Sequence, residues 1–153
     1  MFMEQISLYQ TIDVFLEKSV CLIVEKCYLN NLRVIIVVPD TEMQELINKV
    51  LWTYSQKQFI PHGSKIDPMP SIQPIYITDT IENINNANTL ILVNRVAPQS
   101  VLSEFDRVFV IYSANEEMVQ KDIENFIKEL KASPATIDFY KQTIEGKWQK
   151  KLG

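Results

Sequence analysis

Arg33-Val34-Ile35-Ile36-Val37-Val38-Pro39-Asp40-Thr41 is the stretch that decides the fold. The β-branched residues run from Val34 to Val38 with no polar residue among them. A strand with one wet face would alternate, whereas this pattern belongs to a strand covered on both sides, as in parallel sheets. Asp40 and Thr41 then supply capping oxygens. With Glu42 and Glu45 in the first turns, where carboxylates complement the helix dipole, they open a helix expected to run to about Trp52.

Toward the N-terminus, Ile6 and Leu8 alternate with Ser7 and Tyr9 in a short strand ending near Thr11-Ile12-Asp13, where Asp13 or Thr11 can cap a helix. From Val14 to about Asn30, Phe15, Val20, Leu22, Ile23, Cys27 and Tyr28 recur at spacings near three and four, which predicts an amphipathic helix stopped by Asn30-Asn31.

Toward the C-terminus, Tyr54 to Pro74 holds Pro61, Pro68, Pro70, Pro74 and Gly63, and reads as a long loop with little regular structure. Pro74–Thr78 and Thr89–Asn94 read as strands joined by a polar Asn-rich connection too short for a long helix. Ser100–Phe105 is a brief helical turn, and Arg107–Tyr112 is another buried strand. Ser113-Ala114-Asn115-Glu116-Glu117 starts a helix that runs to about Ala132 and is ended by Pro134. Its apolar side gathers Val119, Ile123, Phe126, Ile127 and Leu130, with Lys121, Asn125 and Lys128 opposite. Thr136–Thr143 and Lys147–Lys151 form a terminal hairpin in which Gly146 takes the positive φ.

The expected architecture is α/β: three layers, α/β/α, around a mainly parallel, Rossmann-like sheet with a C-terminal β-hairpin, as one domain over residues 1–153. A chain of this length buries roughly 70% of its unfolded surface, enough for a core without disulfide or metal staples. Strand order is not readable from the sequence.

Several function classes are excluded by counting. The only glycines are Gly63, Gly146 and Gly153, so no phosphate-cradling loop can be built, the dinucleotide-binding loop included, and no cofactor is expected. Cys21 and Cys27 match neither a redox pair nor a zinc pair and read as buried thiols of a reducing cytoplasm. His62 is the single histidine, so metal sites and hydrolase triads lack partners, and no catalytic residues are assigned. The net charge of −4 and pI near 5.0 oppose a broad grip on nucleic acid or anionic membrane. No signal peptide or membrane-spanning run is apparent, and a cytoplasmic location is expected.

Leu51-Trp52-Thr53-Tyr54 followed by Phe59-Ile60-Pro61-His62-Gly63 resembles the "LW…F-x-P-H" signature of the chi subunit of bacterial DNA polymerase III. Pro39-Asp40, Gln73-Pro74-Ile75-Tyr76, Ala87–Val93 and Phe105-Asp106-Arg107-Val108 follow the order of that family, so the resemblance covers almost the whole chain. It implies a clamp-loader accessory subunit without catalysis of its own. The implied partners are the psi subunit, which tethers it to the clamp loader, and the acidic, Phe-terminated C-terminal tail of single-stranded DNA-binding protein (SSB), through which DNA is reached indirectly. A peptide ending in Phe with a free carboxylate calls for an apolar pocket and a Lys or Arg.

By the same resemblance the tail pocket falls on Trp52, Val110 and Phe126, with Lys128 as the available cation, and the psi surface on Phe59. The sequence departs from the family pattern where basic residues are usual: Ile127 and Ile123 stand there. Each residue also has a plainer reading. Phe126 fits the core stripe, Trp52 could plug the core edge, and Lys128 suits the dipole at a helix C-terminus. Phe59 could anchor its loop and His62 bond within it. The lysines of Lys147–Lys151 protect a hairpin edge from strand pairing. The rival class is a small Rossmann-like nucleotide-binding enzyme using Asp40, Asp79 and His62 at the carboxyl ends of the strands.

Overall fold

The computed structural model describes residues 5–12, 15–53, 63–64, 74–133 and 136–151. In chain order the elements are β1 (Gln5–Thr11), α1 (Leu16–Leu29), β2 (Val34–Val37), α2 (Thr41–Thr53), β3 (Gly63–Ser64) and β4 (Ile75–Thr78). They continue with β5 (Thr89–Val93), α3 (Gln99–Leu102), β6 (Arg107–Ser113), α4 (Glu117–Lys131), β7 (Thr136–Gln142) and β8 (Trp148–Lys151). The strands form one sheet in the order β3-β4-β2-β5-β6-β1-β7-β8. Every pairing is parallel except β7 with β8, the terminal hairpin.

Strand β2 lies between β4 and β5, and all of its side chains are buried, as its unbroken β-branched run requires. The pleat divides the core into two clusters. Val34, Ile36, Ile75, Ile77, Ile91, Val93 and Ile111 face α1 and α2, which contribute Val20, Val24, Ile47 and Leu51. Ile6, Leu8, Ile35, Val37, Leu90, Leu92, Val108 and Val110 face the other way, against Leu102 of α3 and Ile123, Phe126 and Leu130 of α4. Helices on both faces of a mainly parallel sheet make the three-layer class expected from sequence.

The ends of these elements are set by local chemistry. The Met43 N–H donates to Asp40 Oδ1 at 2.8 Å, capping α2 as its sequence indicates. At the end of α1, Asn31 adopts φ 59° and the Leu32 N–H donates back to the Cys27 carbonyl at 2.9 Å. Asparagine tolerates that left-handed turn better than most residues. Between β4 and β5 asparagines replace a crossover helix. Asn83 exchanges two hydrogen bonds with the backbone of Ala87, at 3.0 and 2.7 Å. The fully buried Asn85 donates to the Val34 carbonyl at 2.9 Å, and the Arg33 side chain donates to the Asn85 carbonyl. Side-chain amides thus satisfy backbone groups that a helix would have paired internally.

Two expectations are corrected. Thr11 does not cap α1: it belongs to β1, and its hydroxyl donates to the Tyr112 carbonyl at 3.2 Å. The α1 cap position is Phe15, without a side-chain cap bond, while the other candidate, Asp13, lies outside the described residues. Leu22 is not part of the buried stripe, being 39% exposed; Leu16, Cys21 and Val24 carry that role. Within the Pro-rich segment, expected to hold little regular structure, Gly63–Ser64 pairs with Tyr76–Ile77 as a two-residue strand. The expected stop at Pro134 lies outside the described residues. Cys21 and Cys27 are free and buried, and burial pushes their thiols up to about 12 and about 11, so neither is a thiolate at neutral pH.

Candidate interaction surfaces

The positions singled out by resemblance are divided between layers. Val110 sits in the middle of β6 with its side chain fully buried toward α4, where it shares a core cluster with Phe126 and Ile123. Phe126 is 3% exposed. Ile127 is partly buried against the same cluster, while Lys121, Lys128 and Lys131 are exposed on α4. Trp52 is the penultimate residue of α2, a helix whose buried Ile47 and Leu51 belong to the opposite cluster, and it is 54% exposed. Val110 and Phe126 are therefore brought together inside the core, Lys128 on the surface of their layer, and Trp52 on the other layer. Phe59 and His62 lie outside the described residues.

The carboxylates of the rival enzyme reading have structural partners at the carboxyl ends of the strands. Asp40 caps α2, and Asp79 Oδ2 accepts from the Thr41 hydroxyl at 3.3 Å. Arg95 reaches across this end, its Nη1 donating to the carbonyls of Val38 at 3.1 Å and Asp79 at 2.6 Å. Nearby, Asn94 turns at φ 49° and its Oδ1 accepts from the Ser113 N–H at 2.8 Å. Hydrogen bonds thus engage Asp40, Asp79, Asn94 and Arg95 at the carboxyl ends of the strands, where such folds bind nucleotides.

A different surface emerges on the α1 face, where α1, β1, β6 and the hairpin bound a cavity of about 390 Å³. Period-two alternation aims Gln5, Ser7 and Tyr9 of β1 at this side, and the parallel register sets Ser7 beside Phe109 and Tyr9 beside Tyr140. The hairpin turns back so that Trp148 pairs with Gln142 and joins the same wall. Tyr9 is the centre of the cluster. Its ring stacks on Tyr140 at 4.8 Å and 11°, meets Trp148 edge-on at 5.2 Å and 85°, and lies 6.2 Å from Phe109. Burial, then the neighbouring Tyr140 and Asp138, pushes the Tyr9 hydroxyl up to about 12.

Among the described residues, the charged ones lining this groove are Lys26 of α1 and Arg107 of β6, both exposed, and none is acidic. Asp138 stands on the same face of β7, level with Ser7, but its oxygens are engaged. Gln5 Nε2 donates to one at 2.6 Å and Lys150 Nζ approaches the other at 3.2 Å. These bonds, Gln5 first, hold the Asp138 carboxyl below its ordinary range. Lys150 also lies 6.0 Å from the Tyr140 ring centroid. At the turn, Gly146 has φ 86°, and an added Cβ would meet the Phe15 ring at 3.7 Å, so the tip of the hairpin rests on the start of α1. This groove was not legible in the sequence: its wall comes from four separated segments whose adjacency depends on strand order. The signal was the alternation of Ser7, Tyr9, Arg107, Phe109 and Tyr140, which carries meaning only once β1 lies between β6 and β7.

Among the described residues no helix is long and apolar enough to cross a membrane, and no cluster of three or more His, Cys, Asp or Glu could hold a metal ion. In its fold the chain is similar to the C-terminal domain of the DEAD-box protein Dbp5, with TM-score 0.55, 10% identity and 90% coverage of both chains. A second structure of that domain, from S. cerevisiae in complex with Gle1 and IP6, gives TM-score 0.54 and 8% identity over 90% of each chain. At such identities the likeness is one of fold alone. A family model described as DNA polymerase III chi subunit, HolC, matches residues 3–137. The "Probable DNA polymerase III subunit chi" of Rickettsia prowazekii (strain Madrid E) is 39% identical over 155 residues, covering 97% of this chain and 93% of the relative. The chain belongs to the DNA polymerase III chi subunit (HolC) family, an accessory and non-catalytic component of the replicative polymerase.

Proposed function

We propose that this protein is a cytoplasmic adaptor that bridges the clamp loader, through the psi subunit, to the C-terminal tail of SSB during DNA replication. The observation that carries the reading is Trp52: a large indole left 54% exposed at the end of a helix, at the position of the family's LW motif. Aromatic anchors of this kind dominate small peptide interfaces because they bury much area at low conformational cost. Val110 and Phe126, assigned to the tail contact by the same resemblance, are buried together on the α4 side of the sheet, and Lys128 on that side offers an exposed cation for an acidic tail. The psi contact is assigned to Phe59 by the same resemblance. A net charge of −4 suits a protein that reaches DNA through SSB and does not compete with it for the strand.

Fluorescence-polarisation titration with a labelled SSB C-terminal peptide, beside a peptide lacking the terminal Phe, tests this reading. The expected result is saturable binding that needs the Phe, weakened about tenfold by Trp52→Ala and further reduced by salt. Absence of binding at about 100 µM peptide, an affinity weaker than roughly −5.5 kcal/mol, would contradict the tail-binding role.

A further inference from the structure

The groove between α1 and the hairpin is not lined by Trp52, Val110, Phe126 or Lys128. Tyr140 and Trp148, which complete its wall, fall beyond residues 3–137, the part matched by the family model. Trp52, Val110's side-chain partners on α4 and Lys128 take no part in it. The surface therefore needs its own explanation.

Its chemistry is specific in three respects. Tyr9, Phe109, Tyr140 and Trp148 offer ring faces and edges to an apolar or aromatic side chain. Lys26 and Arg107 stand at the wall with no carboxylate among the described lining residues, and the nearby Asp138 is taken up by Gln5 and Lys150. In a chain of net charge −4, a concave surface whose described lining residues include two exposed cations favours an anionic partner. A volume of about 390 Å³ admits one or two large side chains and is small for a folded surface. A nucleic acid strand would need a cationic track along several phosphates, which two cations do not provide.

We infer that this groove is a second docking site, for a short acidic peptide segment of a protein partner that inserts one aromatic or large apolar side chain among Tyr9, Tyr140 and Trp148 while its carboxylates meet Lys26 and Arg107. The inference goes beyond the adaptor role and holds whether or not the SSB tail binds at Trp52. It also explains the hairpin: β7 and β8 add a wall to the groove as well as an end to the sheet.

The test uses the full chain carrying Trp52→Phe, so that emission reports Trp148. The probe is a capped five-residue peptide with Phe between pairs of aspartates. Controls are the same peptide with Ala at the centre and a short oligothymidylate. The expected result is a saturable change in Trp148 emission with the Phe peptide by about 1 mM, a negligible response to the Ala peptide, and about fivefold or greater weakening by Lys26→Glu or Arg107→Glu. Both substitutions are at exposed positions, and an unchanged melting temperature verifies that the fold persists. No response at that concentration, equal responses to both peptides, indifference to the charge reversals, or tighter binding of oligothymidylate would overturn the inference. One-for-one displacement of the probe by the SSB tail peptide would also overturn it, by showing one shared site where two are proposed.

Discussion

Phe126→Ala is expected to lower the folding free energy by about 3–5 kcal/mol, the range for losing an aromatic ring from a packed core. The ring is 3% exposed and is one of three buried side chains, with Ile123 and Leu130, through which α4 grips the sheet. Val110 beneath it is fully buried, so the space left by the ring opens inside the layer and is not filled by water from outside. For a domain of this size the melting temperature should fall by roughly 10 °C, as read by thermal and urea unfolding. Phe126→Leu, which keeps most of the volume, should recover the greater part. Loss of SSB-tail affinity in Phe126→Ala would then accompany displacement of α4. Full stability with lost affinity would instead show a ring that contacts peptide directly and would contradict its place in the core.

The second large effect is expected at Tyr9, whose ring contacts Phe109, Tyr140 and Trp148 and so joins β1, β6 and the hairpin. Tyr9→Ala should cost about 2–4 kcal/mol, below a fully buried aromatic because the ring is only partly covered. Its signature is local: Trp148 emission should shift to the red, and the amides of β7 and β8 should exchange faster, while β2 and β5 keep their protection. Uniform loss of protection across the sheet would show that Tyr9 belongs to the global core and not to a hairpin clamp. The hydroxyl adds a pH dependence. In the fold it stays protonated to about pH 12, whereas in the unfolded chain it ionises near 10. The folded state thus binds the proton more tightly, and the stability this group contributes is intact below pH 10 and declines as pH rises toward 12.

How much of this was legible in advance follows from the range of the interactions. The unbroken Val34–Val38 run gave the buried parallel strand because burial on both faces is a property of one segment. Asp40, Asn31 and Gly146 gave element ends because capping and positive φ are decided within a few residues. Thr11 misled because the same hydroxyl can cap a helix or bond across a strand pair, and β6 supplied the closer partner in the Tyr112 carbonyl. Leu22 misled because its side of α1 overlooks the groove and not the sheet. The 100° stripe on α4 did identify Ile123, Phe126 and Leu130 as core. Sequence could not assemble the groove, whose four rings run from Tyr9 near one end of the chain to Trp148 near the other and meet only through the order β6-β1-β7-β8. Nor could it show that Trp52 and Phe126 occupy different layers, because the side of the sheet on which each helix lies is a property of the whole topology.

The adaptor role is tested most directly on SSB already bound to single-stranded DNA. In sedimentation with an SSB-coated oligonucleotide, the protein should travel with the complex, fail to do so when SSB lacks its terminal Phe, and remain behind when the same oligonucleotide is bare. That pattern would place it on the nucleoprotein through the tail alone. Association with bare DNA, or with SSB regardless of the terminal Phe, would contradict it.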